Sequence, residues 1–181
     1  MVLYTKRLIL RPWKREDAAK LFLYASDPII GNAAGWAPHT DEHESMRVIE
    51  GPLSGEEVYA IVLRETDEPI GSVGLLEKDG ATCAVADDEA EIGYWIGFPH
   101  WGNGYAPEAV SRVLRHAFED LDKKGVWGTY YDENARSGRV QAKTGFVYHH
   151  TEAHHVDARG DEHVMHYTYT MTYPEDEDSE Q

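Results

Sequence analysis

The chain has 181 residues and a formal net charge of −16, from 17 Lys and Arg against 33 Asp and Glu. A hydrophobic share of 41% and an aromatic share of 11% are typical of a globular protein and exclude a largely disordered chain. Because phosphate contacts need clustered Lys and Arg, the negative net charge argues against nucleic acids and anionic membranes as partners. The same charge favours a cationic substrate only weakly, since it is equally explained by solubility.

Cysteine content and the N-terminus indicate the compartment. Cys83 is the only cysteine, so no intrachain disulfide can form. The opening "MVLYTKRLILRPW" alternates instead of giving a continuous apolar segment, and no stretch approaches the roughly 18 apolar residues of a membrane span. We therefore expect one cytoplasmic domain over residues 1–173, followed by a disordered acidic tail over residues 174–181.

The N-terminal third predicts a strand, two helices and a loop. In "KRLILRPW", Leu8 and Leu10 share one face of a strand. The segment "REDAAKLFLYAS" has apolar residues at spacings of three and four, which indicates a helix. The Gly- and Pro-rich segment "DPIIGNAAGWAPHT" is expected to be a loop. Thr40 or Asp41 then caps a short helix that extends to Glu50.

The remainder predicts a sheet with two further helices. "EEVYAIVLRE" and "IGSVGLLEKD" form a hairpin around "TDEP", and "DDEAEIGYWIGF" is a third strand of this kind. "PEAVSRVLRHAFEDLDKKG" is the clearest helix, with Lys123 and Lys124 in its last turn and Gly125 at its end. A strand in "VWGTYYDE", a short helix in "ARSGRVQAKTG" and a final hairpin follow. This order predicts an α+β domain, with a mixed, mostly antiparallel sheet of about seven strands flanked by helices.

Two glycines, Gly102 and Gly104, stand between a predicted strand and the start of the long helix. Backbone N–H groups at a helix start lack partners and carry partial positive charge, so they suit an anion, and glycine lets the backbone approach it. Pro107 in the first turn removes one donor. The spacing alone also fits a plain tight turn, and it is neither a P-loop nor a dinucleotide-binding fingerprint.

The segments "AEIGYWIG", "HWGNGYAPEA" and "NARSGRVQAKTGF", in this order, resemble the GNAT acetyltransferase superfamily, with the closest match to its RimJ/RimL-like branch, which acetylates amino groups. "TKRLILRPWKREDAAKLF" and "EPIGSVGL" are similar to that branch's opening and to the hairpin formed by its second and third strands. The resemblance covers residues 5 to 170. It implies a sheet split between strands 4 and 5, acetyl-CoA as co-substrate and no metal.

The resemblance also implies a binding site for the co-substrate. The pyrophosphate would lie on the backbone amides of residues 101–106, namely Trp101, Gly102, Asn103, Gly104, Tyr105 and Ala106. The pantetheine arm would lie along Trp95, Ile96, Gly97 and Phe98, where an amide near Gly97 or Phe98 would hold the thioester carbonyl. Asn134 would contact CoA and Lys143 would reach its phosphates, although a lysine there is also typical of a solvated helix end.

Glu91 and Ser137 are the candidate catalytic residues that the resemblance implies. Glu91 would take a proton from the acceptor ammonium, directly or through water, and Ser137 would protonate or hydrogen-bond the departing thiolate. The alternatives are an exposed carboxylate on a strand edge for Glu91 and a helix N-terminal residue for Ser137. Tyrosines 105, 130 and 131 are alternative acids.

Other aromatic and polar residues are candidates for the acceptor site. Trp13 and Trp36 are candidate walls of a substrate pocket, with a core position as the alternative. Six histidines lie near the end of the chain. Because successive side chains of a strand point to opposite faces, adjacent histidines are separated, and we predict no metal site. A His154–His163 pair across the hairpin is the alternative, and hydrogen bonding to the acceptor is a better role for these histidines. Cys83 lacks the surroundings of a reactive thiol.

The predicted function is therefore an acetyl-CoA-dependent N-acetyltransferase, in which a primary amine attacks the thioester directly in a ternary complex. The amine belongs to a protein N-terminus or to a small molecule. A non-catalytic acyl-CoA-binding module and a transferase of a larger acyl group are the alternatives. The protein is expected to be a monomer or a homodimer.

Overall fold

The computed structural model describes residues 1–174, apart from the side chain of residue 79, so the predicted acidic tail lies, from residue 175 on, outside the described residues. Eight strands are present: β1 Leu3–Tyr4, β2 Leu8–Arg11, β3 Val58–Leu63, β4 Pro69–Leu76, β5 Glu89–Ile96, β6 Gly125–Tyr131, β7 Val147–Val156 and β8 Glu162–Thr170. Five α-helices accompany them: α1 Ala18–Ala25, α2 Pro28–Ala34, α3 Glu42–Glu50, α4 Tyr105–Glu119 and α5 Ala135–Lys143.

The strands form one sheet in the order β1-β2-β3-β4-β5-β6-β8-β7. All neighbouring strands are antiparallel except β5 and β6, which are parallel because α4 crosses over between them. The predicted α+β class, with a mixed and mostly antiparallel sheet, is confirmed. The sheet has one strand more than expected, since Leu3 and Tyr4 pair with β2 through Leu10 and Ile9.

The sheet opens between β5 and β6. Pairing begins at Glu89 and Gly125 and stops at Ile92 and Gly128. Beyond that point β5 continues to Ile96 and β6 to Tyr131, although the structure assigns no pairing between them there. With the extra N-terminal strand counted, these are the two strands between which the split was predicted, and that prediction is confirmed.

Helix α4 covers one face of the sheet with a fully buried apolar stripe that includes Val110, Val113 and Leu114. The helix ends at Glu119, earlier than the predicted end at Gly125. The physical reason is a left-handed residue, Asp122 (φ 55°), which turns the chain out of the helix before the two lysines are reached.

Helices α1 and α3 cover the other face near β3 and enclose a second apolar cluster around Trp13. Between them, the predicted loop is wrong over Pro28–Ala34, because this segment forms α2. Its ends follow ordinary rules: the side chain of Asp27 accepts from the Ile29 N–H, Pro28 occupies the first turn, and Gly35 ends the helix at φ +78°. Among the helices of residues 1–174, none is long and apolar enough to cross a membrane.

Candidate active site

The loop before α4 presents unpaired backbone amides. Gly102 and Gly104 have φ of +80° and +78°, values that only glycine adopts readily. In the described part of the chain, the N–H groups of residues 102–106 donate to no protein acceptor. The Trp101 N–H does donate, to the Phe98 carbonyl at 3.2 Å, so the predicted set of amides begins one residue later than expected. Five adjacent donors are therefore free for an anion.

Side chains hold this loop from both sides. The Asn103 amide donates to the carbonyls of His100 at 3.0 Å and Trp101 at 3.3 Å. The Trp101 indole N–H donates to the Ile96 carbonyl at 2.6 Å, which fastens the loop to the end of β5. The side chain of Asn103 is thus used inside the loop, while the amides on either side of it stay free.

A cleft of about 310 Å³ begins at these amides and runs along Tyr94, Trp95 and Ile96, the part of β5 that lies beyond its pairing with β6. On one side it is bounded by α4 and α5, and on the other by Ile30, Ala33 and Ala34 of α2. Ten of the predicted site residues line it: Trp95, Ile96, Trp101, Gly102, Gly104, Tyr105, Ala106, Asn134, Ser137 and Lys143. Six do not line it: Glu91, Gly97, Phe98, Asn103, Trp13 and Trp36.

The expected amide for a thioester carbonyl is not at Gly97, whose N–H donates to the Ile70 carbonyl of β4 at 2.7 Å. Phe98 points its ring at Trp101 and is 47% exposed. Because backbone groups of successive residues in a strand face opposite edges, Gly97 faces β4 while Tyr94 and Ile96 face the split. Their amides are the better candidates.

Three cations of α5 line the cleft without an acidic partner. Arg136, Arg139 and Lys143 lie three and four residues apart, so they share one helix face. Within residues 1–174 none of them forms an ion pair, and Arg136 lies over the Trp101 ring at 4.5 Å. In a chain of net charge −16, unpaired cations at one place point to an anionic ligand. Sequence reasoning named only Lys143, although the spacing of the other two was visible.

Ser137 is fixed at the start of α5. The Asn134 side chain caps this helix by accepting from the Ser137 N–H at 3.3 Å, and it donates to the Ala33 carbonyl of α2 at 3.0 Å. The Ser137 hydroxyl lies 2.8 Å from the Tyr94 hydroxyl, which also donates to the Ser137 carbonyl at 3.0 Å. Burial raises the pKa of Tyr94 to about 12, which keeps this phenol neutral. Tyr94 was not predicted from the sequence, because no local pattern indicates a contact with Ser137, which lies 43 residues later in the chain.

Glu91 is buried, with 2% exposure, which excludes the alternative of an exposed carboxylate on a strand edge. Its carboxylate accepts from the Thr129 hydroxyl at 2.7 Å, from the Cys83 N–H at 3.3 Å and from the Thr82 N–H. Because it lies three residues from Tyr94 on the same strand, it projects from the opposite face of the sheet. Burial, together with the Glu91 charge, raises the pKa of the Cys83 thiol to about 12, so this cysteine is unreactive, as predicted.

The two predicted pocket tryptophans flank Trp95. Trp13 is 9% exposed, stacks on Trp95 at 6.3 Å and donates its indole N–H to the Ser72 hydroxyl at 3.1 Å. Trp36 meets Trp95 edge-on at 5.8 Å. Of the three residues, only Trp95 lines the cleft, and the rings of the other two pack against its ring.

His100, which sequence reasoning did not assign, also lines the cleft. Its Nε2 lies 3.0 Å from the Tyr24 hydroxyl, which in turn donates to the Glu68 carboxylate at 2.9 Å. Burial raises the pKa of Tyr24 to about 12. Since Tyr24 donates its one proton to Glu68, His100 donates to Tyr24, and its ring is fixed at the edge of the cleft.

The C-terminal histidines form no metal-binding group within the described residues. In the final hairpin His155, not His154, lies opposite His163. The ring of His154 contacts Glu162 instead. His163 donates to Glu133 at 2.9 Å, and this hydrogen bond raises the pKa of His163.

Comparisons with known proteins agree with this geometry. A family model described as an acetyltransferase (GNAT) domain matches residues 7–147. The protein called "Uncharacterized N-acetyltransferase p20" of Bacillus licheniformis is 35% identical over 149 residues, which cover 80% of this chain and 81% of that protein. "Uncharacterized N-acetyltransferase YoaA" of Bacillus subtilis is 31% identical over 157 residues, which cover 80% and 82%. The chain belongs to the GNAT acetyltransferase family.

Solved structures share the fold at lower identity. A GNAT-family acetyltransferase from Bacillus anthracis superposes with a TM-score of 0.84 at 19% identity, over 94% of this chain and 98% of that one. A protein from Vibrio cholerae, provisionally described as a ribosomal-protein-serine acetyltransferase, superposes with a TM-score of 0.77 at 19% identity, over 95% and 98%. At these identities the likeness concerns the fold.

Proposed function

We propose that the protein is an acetyl-CoA-dependent N-acetyltransferase of the RimJ/RimL-like kind, which transfers an acetyl group to a primary amine of a small molecule or a protein N-terminus. One observation carries the proposal: the free amides of the loop over residues 102–106 and the three unpaired cations of α5 meet at the same cleft, which runs along the part of β5 beyond its pairing with β6. We place the protein in the cytoplasm, as a monomer or a homodimer.

The two parts of this cleft suit the two parts of acetyl-CoA. The amides and the positive end of the α4 dipole suit the diphosphate, and the α5 cations suit the remaining phosphate charge. The split suits the pantetheine arm, because the amides of Tyr94 and Ile96 face it and can bond the arm as a neighbouring strand would. The thioester would then lie near Tyr94 and Ser137, which both line the cleft.

Direct transfer needs a base for the amine and a donor for the leaving sulphur. The amine nitrogen attacks the thioester carbonyl, a C–N bond forms, and the C–S bond breaks with its electron pair on sulphur. Ser137, which lines the cleft, is the proposed donor of a hydrogen bond to that sulphur. Glu91 is the proposed base, acting through water, since its carboxylate lies under Thr82 and Cys83 on the far side of β5.

An amine and peptide panel with acetyl-CoA, read by release of free thiol, tests the proposal. We expect turnover with at least one primary amine and CoA binding at micromolar concentration by calorimetry. Gly102→Asp, which places a carboxylate where the phosphate would lie, should abolish CoA binding. If the wild-type protein does not bind CoA, the proposal is wrong.

A second candidate function has one observation in its favour. Because the Glu91 carboxylate is occupied by donors of its own protein and does not line the cleft, a domain that binds acyl-CoA without turnover is the alternative. CoA binding without thiol release across the whole panel would favour it. Release from propionyl-CoA or butyryl-CoA in preference to acetyl-CoA would instead indicate a larger acyl group.

A further inference from the structure

We propose that Tyr94 positions the Ser137 hydroxyl and strengthens it as a hydrogen-bond donor to the sulphur of a thioester in the cleft. The inference rests on the proposed function. It starts from the position of Tyr94, on the part of β5 that lies beyond the last residue paired with β6. Tyr94 lines the cleft, and so does Ser137 of α5, which its hydroxyl contacts.

The Tyr94 hydroxyl has one hydrogen and two acceptors, both on Ser137. The hydroxyl oxygen of Ser137 is 2.8 Å away, and the carbonyl oxygen of Ser137 is 3.0 Å away. When Tyr94 donates to the carbonyl, the Ser137 hydroxyl can donate to the Tyr94 oxygen and is turned away from a ligand. When the Ser137 hydroxyl turns towards the cleft, the Tyr94 hydrogen can move to the Ser137 hydroxyl oxygen.

The second arrangement makes Ser137 a better donor. A hydroxyl that accepts a hydrogen bond while it donates one is polarised, so its own donation becomes stronger. The backbone of Ser137 stays in place during the change because Asn134 caps it and is itself tied to Ala33 of α2. Only the two hydroxyl groups need to reorient.

The chemistry balances without proton loss from Tyr94. As the C–S bond breaks, its electron pair goes to sulphur, and the proton of the attacking amine leaves to the base or to water. Ser137 donates a hydrogen bond to the sulphur, and Tyr94 donates one to Ser137. The phenol stays neutral throughout, in agreement with the raised pKa that its burial causes. Tyr94 is thus a positioning residue, and Ser137 is the group that touches the substrate.

A titration of enzyme-bound CoA tests this role without an acceptor amine. The ultraviolet absorbance of the thiolate is followed against pH for CoA bound to the wild-type protein and to Tyr94→Phe, Ser137→Ala and the double variant. We expect the acid-dissociation constant of the bound thiol to fall about tenfold in each single variant, because a hydrogen bond to the thiolate is weakened or lost. The double variant should be no worse than Ser137→Ala.

Tyr59→Phe is the matched control. Tyr59 is fully buried and donates to Glu57 at 2.6 Å, so this change also removes one hydrogen bond of a buried tyrosine, but outside the cleft. It should leave the thiol titration unchanged. Turnover should agree, with kcat of Tyr94→Phe about tenfold lower and KM for acetyl-CoA unchanged.

The outcomes separate the inference from the function on which it rests. If Tyr94→Phe binds CoA and its thiol titrates as in the wild-type protein, the inference is overturned and the proposed function stands. If Tyr94→Phe only lowers thermal stability or CoA affinity, Tyr94 is structural and the inference is overturned as well. If the wild-type protein binds no CoA, both are overturned.

Discussion

Arg7 pairs with the carboxylate of Glu108 in the first turn of α4, next to the free amides. The Arg7 Nε donates to Glu108 Oε2 at 2.7 Å, and the Arg7 backbone N–H donates to Oε1 at 2.9 Å. The Thr5 hydroxyl adds a third bond at 2.6 Å, and Arg7 also donates to the Asn103 carbonyl at 2.9 Å. An acidic residue in the first turn of a helix would otherwise compete with a phosphate for the same positive end.

We expect Arg7→Met to raise KM for acetyl-CoA about fivefold. Without Arg7, the negative charge of Glu108 would weaken binding of the diphosphate by roughly 1 kcal/mol. Steady-state kinetics at low salt measure the effect. Glu108→Gln in the Arg7→Met background should restore most of the affinity. If the double variant is as weak as Arg7→Met alone, Arg7 acts by holding the loop and not by restraining the charge.

The cations of α5 give a second prediction. Removal of one phosphate contact in Arg136→Ala, Arg139→Ala or Lys143→Ala should weaken CoA binding about fivefold, and each loss should shrink as salt is added. Calorimetry with CoA and with dephospho-CoA assigns the contacts: a variant that binds both forms equally has lost the contact to the 3′-phosphate. Lys78→Ala removes the same charge at an exposed pair with Asp87 and should change nothing.

Glu91→Gln tests the proposed base. We expect kcat to fall about 100-fold with little change in KM, because general-base assistance is lost while binding is retained. Glu89→Gln is the control on the same strand and face, where Glu89 accepts from the Trp127 indole at 2.8 Å and the Tyr169 hydroxyl at 2.8 Å. Equal losses in the two variants would mean that Glu91 only supports the fold.

His116 gives a prediction about stability. It is fully buried in α4 and lies between two carboxylates, with Nε2 3.0 Å from Glu57 and Nδ1 2.6 Å from Asp120. His116→Ala should lower the free energy of unfolding by about 3 kcal/mol, since it leaves a cavity and removes the partner of Glu57. Urea titration measures this free energy of unfolding. His43 is an exposed histidine in a helix, so His43→Ala should have the stability of the wild-type protein within experimental error.

The contact between His116 and Asp120 also predicts how the stability of the protein depends on pH. The hydrogen bond from His116 holds the pKa of Asp120 below its ordinary value of 3.8. A depressed folded-state pKa stabilises the protein above that ordinary value, and the stabilisation is lost as pH falls through the folded-state pKa. Asp120→Asn should therefore be less stable than the wild-type protein at neutral pH, with a difference that closes in strong acid. A difference that stays constant down to strong acid would contradict this account.

The sequence by itself determined the features that depend on neighbours along the chain. The strands of the β3–β4 hairpin and β5, the apolar stripe of α4 and the cap at Asp41 follow from local sequence, and all appear in the structure. The free amides of residues 102–106 follow from the same kind of rule, because the start of a helix leaves its first donors unpaired wherever it occurs. The signals for α2, namely Asp-Pro at its start and Gly at its end, were also present in the sequence. The helix was not predicted because its seven residues are too few to show a clear helical period.

Only the tertiary structure decided which of these groups meet. Tyr94 and Ser137 are joined because β5 and β6 diverge and α5 packs across the gap. Glu91 projects from the other face of β5 and is enclosed by the loop at Thr82, which no spacing on β5 indicates. Arg7 reaches Glu108 because β2 begins beside α4. Such contacts depend on where separate elements pack, so the order of residues along each element does not fix them.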